Sequence, residues 1–365
     1  MTRLLALLAL LALTACDKPL VGLPAATGAV PEVLVVSDSA TWAGPVGDAI
    51  RQELARPIST LPNQQGFLKL RFQALADQFL PQIRRTRNVL FVAPIGAPTP
   101  IGRYLRARIP EGQVGAIESG RSVAVTIRED LWAAGQVAVT ATAANDSLLA
   151  NAIIERADSL RATYERNVLD WTVTQMFDRA RQTEVEDTLI ADKGWAFAIQ
   201  HDFIEVQDTT ASAAGRTGSF VRFRRIVPET WRDFFVFVQD GVTEVPPVEE
   251  LDAMTDDLLE QFAVGEIDST YIQTDPRRPV MTEAVELAGR PAVETRGLWR
   301  MIGFPMGGPY IRYAFIDEGR LFVYYGMVFS PSPRFDKREF LRQLEATATT
   351  FYTARDLAER EAAMG

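Results

Sequence analysis

A long segment from Asn145 to Gln182 most constrains the fold, because it contains neither proline nor glycine. Its apolar side chains recur at helical spacing, namely Leu149, Ile153, Leu160, Tyr164, Val168 and Trp171. The spacing predicts one long helix or two consecutive helices, with Asn145 or Asp146 as N-cap. We therefore expect residues 145–182 to bridge two separate groups of elements.

The first of these groups, residues 32–144, alternates strand and helix patterns. Strands are predicted at 32–36, 66–72, 88–93, 122–127 and 136–141, with the last two forming a hairpin. Helices are predicted at 42–54, at 75–83, where Pro81 disturbs the pattern, and at 99–108, where Thr99 precedes Pro100. This alternation favours an α/β half, a sheet with helical cover.

The second group, residues 183–365, is richer in strands. They are predicted at 194–199, 220–226, 233–238, 297–302, 310–316 and 320–329, with a hairpin turn at Asp317-Glu318-Gly319. Helices are predicted at 248–262 and after a capping box at 336–339. The chain as a whole is therefore predicted to be α+β, with a C-terminal antiparallel sheet and helices. The element order after Gly194 is similar to a PsbP/Mog1-like α/β/α sandwich.

The N-terminus has the pattern of a secretion signal over residues 1–15. Arg3 precedes an uncharged apolar run that is too short for the roughly 20 residues of a membrane span. The tetrapeptide Leu13-Thr14-Ala15-Cys16 resembles the bacterial lipobox, in which the cysteine thiol receives a diacylglycerol. The alternative is an ordinary secretory signal with an incidental cysteine. Lipidation is favoured because Cys16 is the single cysteine of the chain and stands where this chemistry needs it.

We expect residues 16–31, which contain proline and glycine without periodicity, to be a lipidated tether. The N-terminal lipid would hold the protein on a membrane of the bacterial envelope. The outer membrane is favoured, facing the periplasm or the cell surface. A formal net charge of −9 gives no general attraction for nucleic acid, so no nucleic-acid partner is expected.

Most catalytic chemistries lack their residues in this sequence. His201 is the single histidine, and the single cysteine is expected to carry lipid. A zinc site would therefore have too few His and Cys ligands, and no cysteine thiol would be left to act as a nucleophile. No GxSxG elbow, phosphate-binding loop or dinucleotide fingerprint occurs. We therefore predict no catalytic residue, no metal ligand and no cofactor.

Acidic residues leave one enzymatic alternative open, because a carboxylate pair among 47 acids cannot be selected from sequence. Residues 244–268 hold nine acids and no Lys or Arg. A cation-binding face is one interpretation. The solvated side of the helix predicted at 248–262 is the favoured one.

The segment Gly307-Gly308-Pro309-Tyr310 is the other feature of note. Within the longer segment Phe304–Tyr310, the two glycines are bracketed by prolines, which favours a stiff, tight turn before the strand from Tyr310. The alternative is that this segment forms the rim of a pocket.

Three segments carry a resemblance to a known family: RNVLFVAP, TRGLWRMIGFPMGGPYIRYAF and GMVFSPSPRFDKREFLRQLEA. Behind a lipobox, they resemble an uncharacterised family of lipoproteins from Bacteroidetes-type bacteria, known as a domain of unknown function. The likeness spans about 32–351 and implies no activity or site residue. We expect a non-enzymatic binding or assembly module with an envelope protein as partner. A carboxylate-dependent hydrolase of envelope glycans or esters is the alternative.

Overall fold

The structure is a computed structural model that describes residues 22–63, 65–178, 180–228, 230–332 and 334–364. The chain forms two compact units. The first contains the described residues up to Leu54 together with Leu68–Asn167. The second contains Ala55–Phe67 and the described residues from Val168 onward.

The first unit is built on a five-stranded sheet in the order β2-β1-β3-β5-β4. Its strands are β1 Glu32–Ser37, β2 Lys69–Ala74, β3 Asn88–Val92, β4 Ala124–Glu129 and β5 Val137–Thr142. All neighbours are parallel except β4, which pairs antiparallel with β5 as the predicted hairpin partner.

Helices accompany this sheet along the chain. They are α1 Ser39–Ala43, α2 Pro45–Leu54, α3 Leu80–Ile83, α4 Pro100–Arg106, α5 Glu111–Glu118 and α6 Asp146–Glu155. On one face, Leu34 and Phe91 pack against Ile101 and Leu105 of α4. The central strand β3 is buried along its whole length, which explains why its sequence is a continuous apolar run without alternation. Thr99 caps α4 as predicted, since its side chain accepts a hydrogen bond from the backbone N–H of Gly102.

The predicted bridge consists of two consecutive helices. Asn145 caps α6 by accepting from the backbone N–H of Leu148. The second helix, α7 Ala157–Phe177, begins in the first unit and ends in the second. The Tyr164 hydroxyl on α7 donates to the carbonyl of Val89, so a buried polar group fixes the start of the helix to β3.

The second unit is built on an eight-stranded antiparallel sheet in the order β10-β12-β13-β14-β9-β8-β7, with β11 also paired to β12. Its strands are β7 Ile204–Ala213, β8 Arg216–Val227, β9 Thr230–Asp240, β10 Tyr271–Thr274, β11 Met281–Leu287, β12 Arg290–Ile302, β13 Gly307–Asp317 and β14 Arg320–Phe329. The predicted turn at 317–319 joins β13 to β14. Glu318 and Gly319 both have positive φ there, of 48° and 73°, as a two-residue hairpin turn requires.

Helices cover both faces of this sheet. They are α8 Thr183–Lys193, α9 Val248–Phe262, α10 Lys337–Thr349 and α11 Ala354–Met364, while β6 Trp195–Ala196 and β15 Tyr352–Thr353 form a separate pair. Phe235 and the other side chains on the same face of the sheet pack against Leu251 and Leu258 of α9. Phe234, one residue earlier, packs on the opposite face with Leu344 of α10. The predicted α+β class is thereby confirmed; the PsbP/Mog1-like topology stays a prediction.

Several predicted details are wrong. The strand expected at 194–199 is limited to the two residues of β6, because the chain turns away from β15 after Ala196. The capping box at 336–339 does not form. Asp336 precedes α10 without capping it, and its carboxylate accepts instead from Nη2 of Arg338 at 2.9 Å. The helix expected at 75–83 shrinks to α3 preceded by a single 3₁₀ turn, in keeping with Pro81.

Candidate ligand-binding site

The predicted lipobox, Leu13, Thr14, Ala15 and Cys16, lies outside the described residues. The other predicted segment, Gly307–Tyr310, lies in the second unit at the start of β13. The turn before it consists of Gly303–Met306, in which Gly303 has a φ of 78°. The two glycines at 307 and 308 therefore belong to the strand and not to the turn, which corrects the favoured interpretation.

Gly308 is required by the close approach of neighbouring strands. A Cβ at this position would lie 1.9 Å from the carbonyl oxygen of Val328 on β14 and 3.0 Å from the indole nitrogen of Trp299. Trp299 stands opposite Gly308 on β12. Its indole N–H donates across the glycine to Val328 O at 3.2 Å. The absence of a side chain thus makes room for a buried tryptophan.

Pro309 and Tyr310 are buried within the sheet. The Tyr310 ring stacks on Tyr325 with centroids 5.0 Å apart and fills the space above Gly297. Burial raises the pKa of the Tyr310 hydroxyl to about 12. These two residues belong to the core, whereas Gly307 and Gly308 line a cavity.

Two cavities adjoin the turn at Gly303–Met306. The first, which we call the apolar cavity, has a volume of about 280 Å³. Most of its lining is hydrocarbon, thioether or aromatic: Trp231, Ala263, Val264, Ile267, Ile272, Met301, Phe304 and Met306. Val264, Ile267 and Phe304 are 61%, 56% and 44% exposed, which is unusual for such side chains. The cavity therefore offers an open apolar surface at one end of the sheet.

An aromatic stack supports the inner wall of the apolar cavity. Trp231 stacks on Trp299 and on Phe329, with ring centroids 5.5 Å and 5.3 Å apart. The guanidinium of Arg224 lies 5.4 Å from the centre of the Trp231 ring. Stacked rings fix one another's orientation, so this wall is preorganised.

Asp233 holds the arginine of this wall in place. Its fully buried carboxylate accepts from Nε of Arg224 at 2.7 Å, and from Nε and Nη2 of Arg222 at 2.8 and 2.6 Å. The basic cluster of Arg222, Arg224 and Arg225 is thus engaged in ion pairs, since Arg225 binds Asp202.

The second cavity, which we call the arginine cavity, has a volume of about 400 Å³. It shares Met301, Phe304 and Met306 with the apolar cavity. Its charged lining residues are Asp275, Arg277, Arg278 and Arg300. The two volumes are near the lower end of the roughly 300–1,000 Å³ typical of small-molecule sites.

The charges of the arginine cavity are only partly compensated. Asp275 is buried and accepts from Nε and Nη2 of Arg277 at 2.7 and 3.0 Å, and these hydrogen bonds hold the pKa of its carboxyl below the usual value. Arg278 is exposed and forms no ion pair with a described residue. Arg300 is half-buried, and its Nε is buried without a hydrogen-bond partner among the described residues.

Among the described residues, each of these cavities is lined by a single carboxylate, Glu266 in the apolar cavity and Asp275 in the arginine cavity, so no acid–base pair is gathered there. Burial raises the pKa of Asp256 on α9, but both its oxygens accept hydrogen bonds from Thr274, at 2.8 and 3.0 Å. Asp252, also on α9, accepts from the buried Arg312 at 2.7 Å. These two acids bind neighbouring groups, so the solvated interpretation of 244–268 does not hold for them.

The other carboxyl with a raised pKa is Glu205, where burial is the main cause and Asp208 adds to it. Both line a separate cavity of about 180 Å³. His201 is exposed in a turn. Within the described ranges, no three His, Cys, Asp or Glu side chains are grouped as metal ligands. The hydrolase alternative stays a prediction.

Sequence reasoning did not single out Trp231 or the arginines at 277, 278 and 300. They lie on strands and loops that are separate in the sequence and that come together only because of the strand order of the sheet. The dibasic pair Arg277-Arg278, in a region otherwise rich in acids, was the available signal. None of the described helices is long and apolar enough to cross a membrane.

Comparison with known families divides the chain near the boundary between the two structural units at residues 167 and 168. Residues 26–177 match the model of a domain of unknown function, DUF8532. Residues 181–350 match a second domain of unknown function, DUF4837. No curated protein matches the chain. The chain therefore contains two domains of unknown function, consistent with the predicted kinship to an uncharacterised family.

Proposed function

We propose that this chain is a lipid-anchored lipoprotein of the bacterial envelope that binds the hydrocarbon chain of a lipid in its apolar cavity. It acts there as a non-enzymatic binding module. The anchor is the lipid on Cys16, in a family of Bacteroidetes-type lipoproteins, with the outer membrane as the favoured location. The ligand is thus itself an envelope component, and an envelope protein that delivers or receives this ligand is the further partner that we propose.

The observation that carries the binding proposal is the lining of the apolar cavity. Met301, Met306 and Phe304 contribute flexible or exposed apolar surface, while Trp231 contributes a fixed ring. Methionine adapts its shape to a bound hydrocarbon chain at low cost. The lining contains one cation, Arg224, which pairs with Asp233, and one anion, Glu266. Covering the exposed side chains with hydrocarbon is favourable at about 25 cal/mol per Å².

The test uses the full chain in membrane vesicles and a neutral photoreactive probe, a dodecyl alcohol that carries a diazirine. We expect labelling of the segment 301–306. Ile267→Asp places a charge in the wall of the apolar cavity away from the arginine cavity and should reduce labelling by about tenfold, because burying an uncompensated charge costs more than about 1.4 kcal/mol.

Val280→Asp is the matched control, since Val280 is 47% exposed in a loop of the same unit but does not line the cavity. The probe should label this variant to the same extent as the unmodified chain. Equal labelling of the two variants, or labelling spread evenly over the surface, would contradict the proposal.

A further inference from the structure

The arginine cavity supplies what a bare hydrocarbon site lacks, a place for a charged end. It continues from the apolar cavity past the side chains that both share, Met301, Phe304 and Met306. A molecule with an apolar chain in the first cavity would therefore present its other end to the second.

The lining of the arginine cavity contains three arginines and one aspartate, which gives a formal charge of +2. The chain as a whole has a net charge of −9, so the positive charge is a local property of this cavity. Cavity walls of one sign attract ligands of the other.

Two of the three arginines have donors to offer. Arg277 is bound by both oxygens of Asp275. Arg300 makes one long contact, from Nη2 to Oε1 of Gln273 at 3.4 Å, and its buried Nε has no partner among the described residues. Arg278 is exposed at the cavity and unpaired within the described part of the chain. A buried donor without an acceptor is unfavourable, and an anionic ligand would remove that cost.

We infer that the ligand is a monoacyl lipid with an anionic headgroup, a carboxylate or a phosphate, which Arg278 and Arg300 bind while the acyl chain occupies the apolar cavity. Guanidinium groups bind both headgroups through paired, charge-assisted hydrogen bonds. Binding is non-covalent and leaves the ligand unchanged. This inference rests on the proposed function and adds the headgroup to it.

The test compares three dodecyl diazirine probes that end in a carboxylate, a phosphate or a hydroxyl, on the full chain in membrane vesicles. The two anionic probes should half-saturate labelling at about tenfold lower concentration than the alcohol, as expected for hydrogen bonds to charged groups. Arg278→Gln and Arg300→Gln should each remove most of this preference and leave labelling by the alcohol unchanged. Arg278 is exposed, so its variant keeps the test valid if Arg300→Gln fails to fold.

Arg360→Gln is the matched control, an exposed arginine of the same unit that lines neither cavity, and it should keep the preference. Equal half-saturation by all three probes overturns the headgroup inference and leaves hydrocarbon binding in place. Failure of every probe to label overturns both. Displacement of the anionic probes by a glutamate-rich peptide, at the concentration at which unlabelled laurate displaces them, identifies an acidic peptide as the occupant and also overturns the inference.

Discussion

At the residue scale, the carboxylate of Asp233 determines whether the aromatic wall of the apolar cavity can form. It is fully buried and joins two arginines, of which Arg222 has only 6% of its side chain exposed. Asp233→Asn keeps the shape but removes the charge. Breaking a buried ion pair in this way costs about 3–5 kcal/mol, because the cations stay buried without compensation. We expect the free energy of unfolding of the second unit to fall by that amount in urea titrations.

Asp208→Asn is the comparison for this prediction. Asp208 also pairs with a cation, Lys193, but 43% of its side chain is exposed. Exposed pairs contribute about 0–1 kcal/mol, so this variant should unfold close to the unmodified chain. A similar loss of stability in both variants would show that Asp233 does not carry the role assigned to it.

At the scale of single elements, β13 depends on a missing side chain. Gly308→Ala would place a Cβ against the backbone oxygen of Val328, which no rotamer change can relieve. The strands β13 and β14 would have to separate, and overpacking of this kind costs about 1–3 kcal/mol. We expect a lower urea midpoint, with Trp231 and Trp299 fluorescence as the probe.

The same substitution at Gly96 serves as the control, because a Cβ there would meet no heavy atom within 4 Å. Gly96→Ala should leave the free energy of unfolding within about 0.5 kcal/mol of that of the unmodified chain. If the two alanine variants unfold alike, the close approach at Gly308 is not a constraint on the sheet.

Elements could be predicted from the sequence where local pattern and burial agree. The apolar runs at β1 and β3 and the stripe on α9 were found because their side chains face the core. The strands β7 and β11 were missed because their side chains are mostly exposed, which leaves no apolar alternation to read. The glycines at 307 and 308 were found, but their role was not, since it depends on Val328, a residue of another strand.

At the scale of the whole molecule, the two units follow the two family matches, 26–177 and 181–350, except that Ala55–Phe67 and the residues from Val168 to 177 belong to the second unit. Each unit has its own main sheet, while helix α7 begins in the first unit and ends in the second. The proposed site lies within the second unit alone, between β10, β12 and the turn at 303–306. We therefore place lipid binding in the second unit and assign no ligand to the first.

The proposed attachment to the envelope is also a property of the whole chain, and it would depend on one sulfur atom, that of Cys16, which lies outside the described residues. Cys16→Ser removes the thiol that diacylglycerol transfer requires, and a hydroxyl does not replace it. Each acyl methylene buried in a bilayer contributes about 0.8 kcal/mol, so loss of the lipid would remove the membrane attachment that we propose. We expect unprocessed or soluble protein, measured by fractionation of cells and by intact mass. Thr14→Ser keeps a small residue before the cysteine and should still be lipidated, whereas a Cys16→Ser chain with unchanged fractionation and mass would refute the anchor.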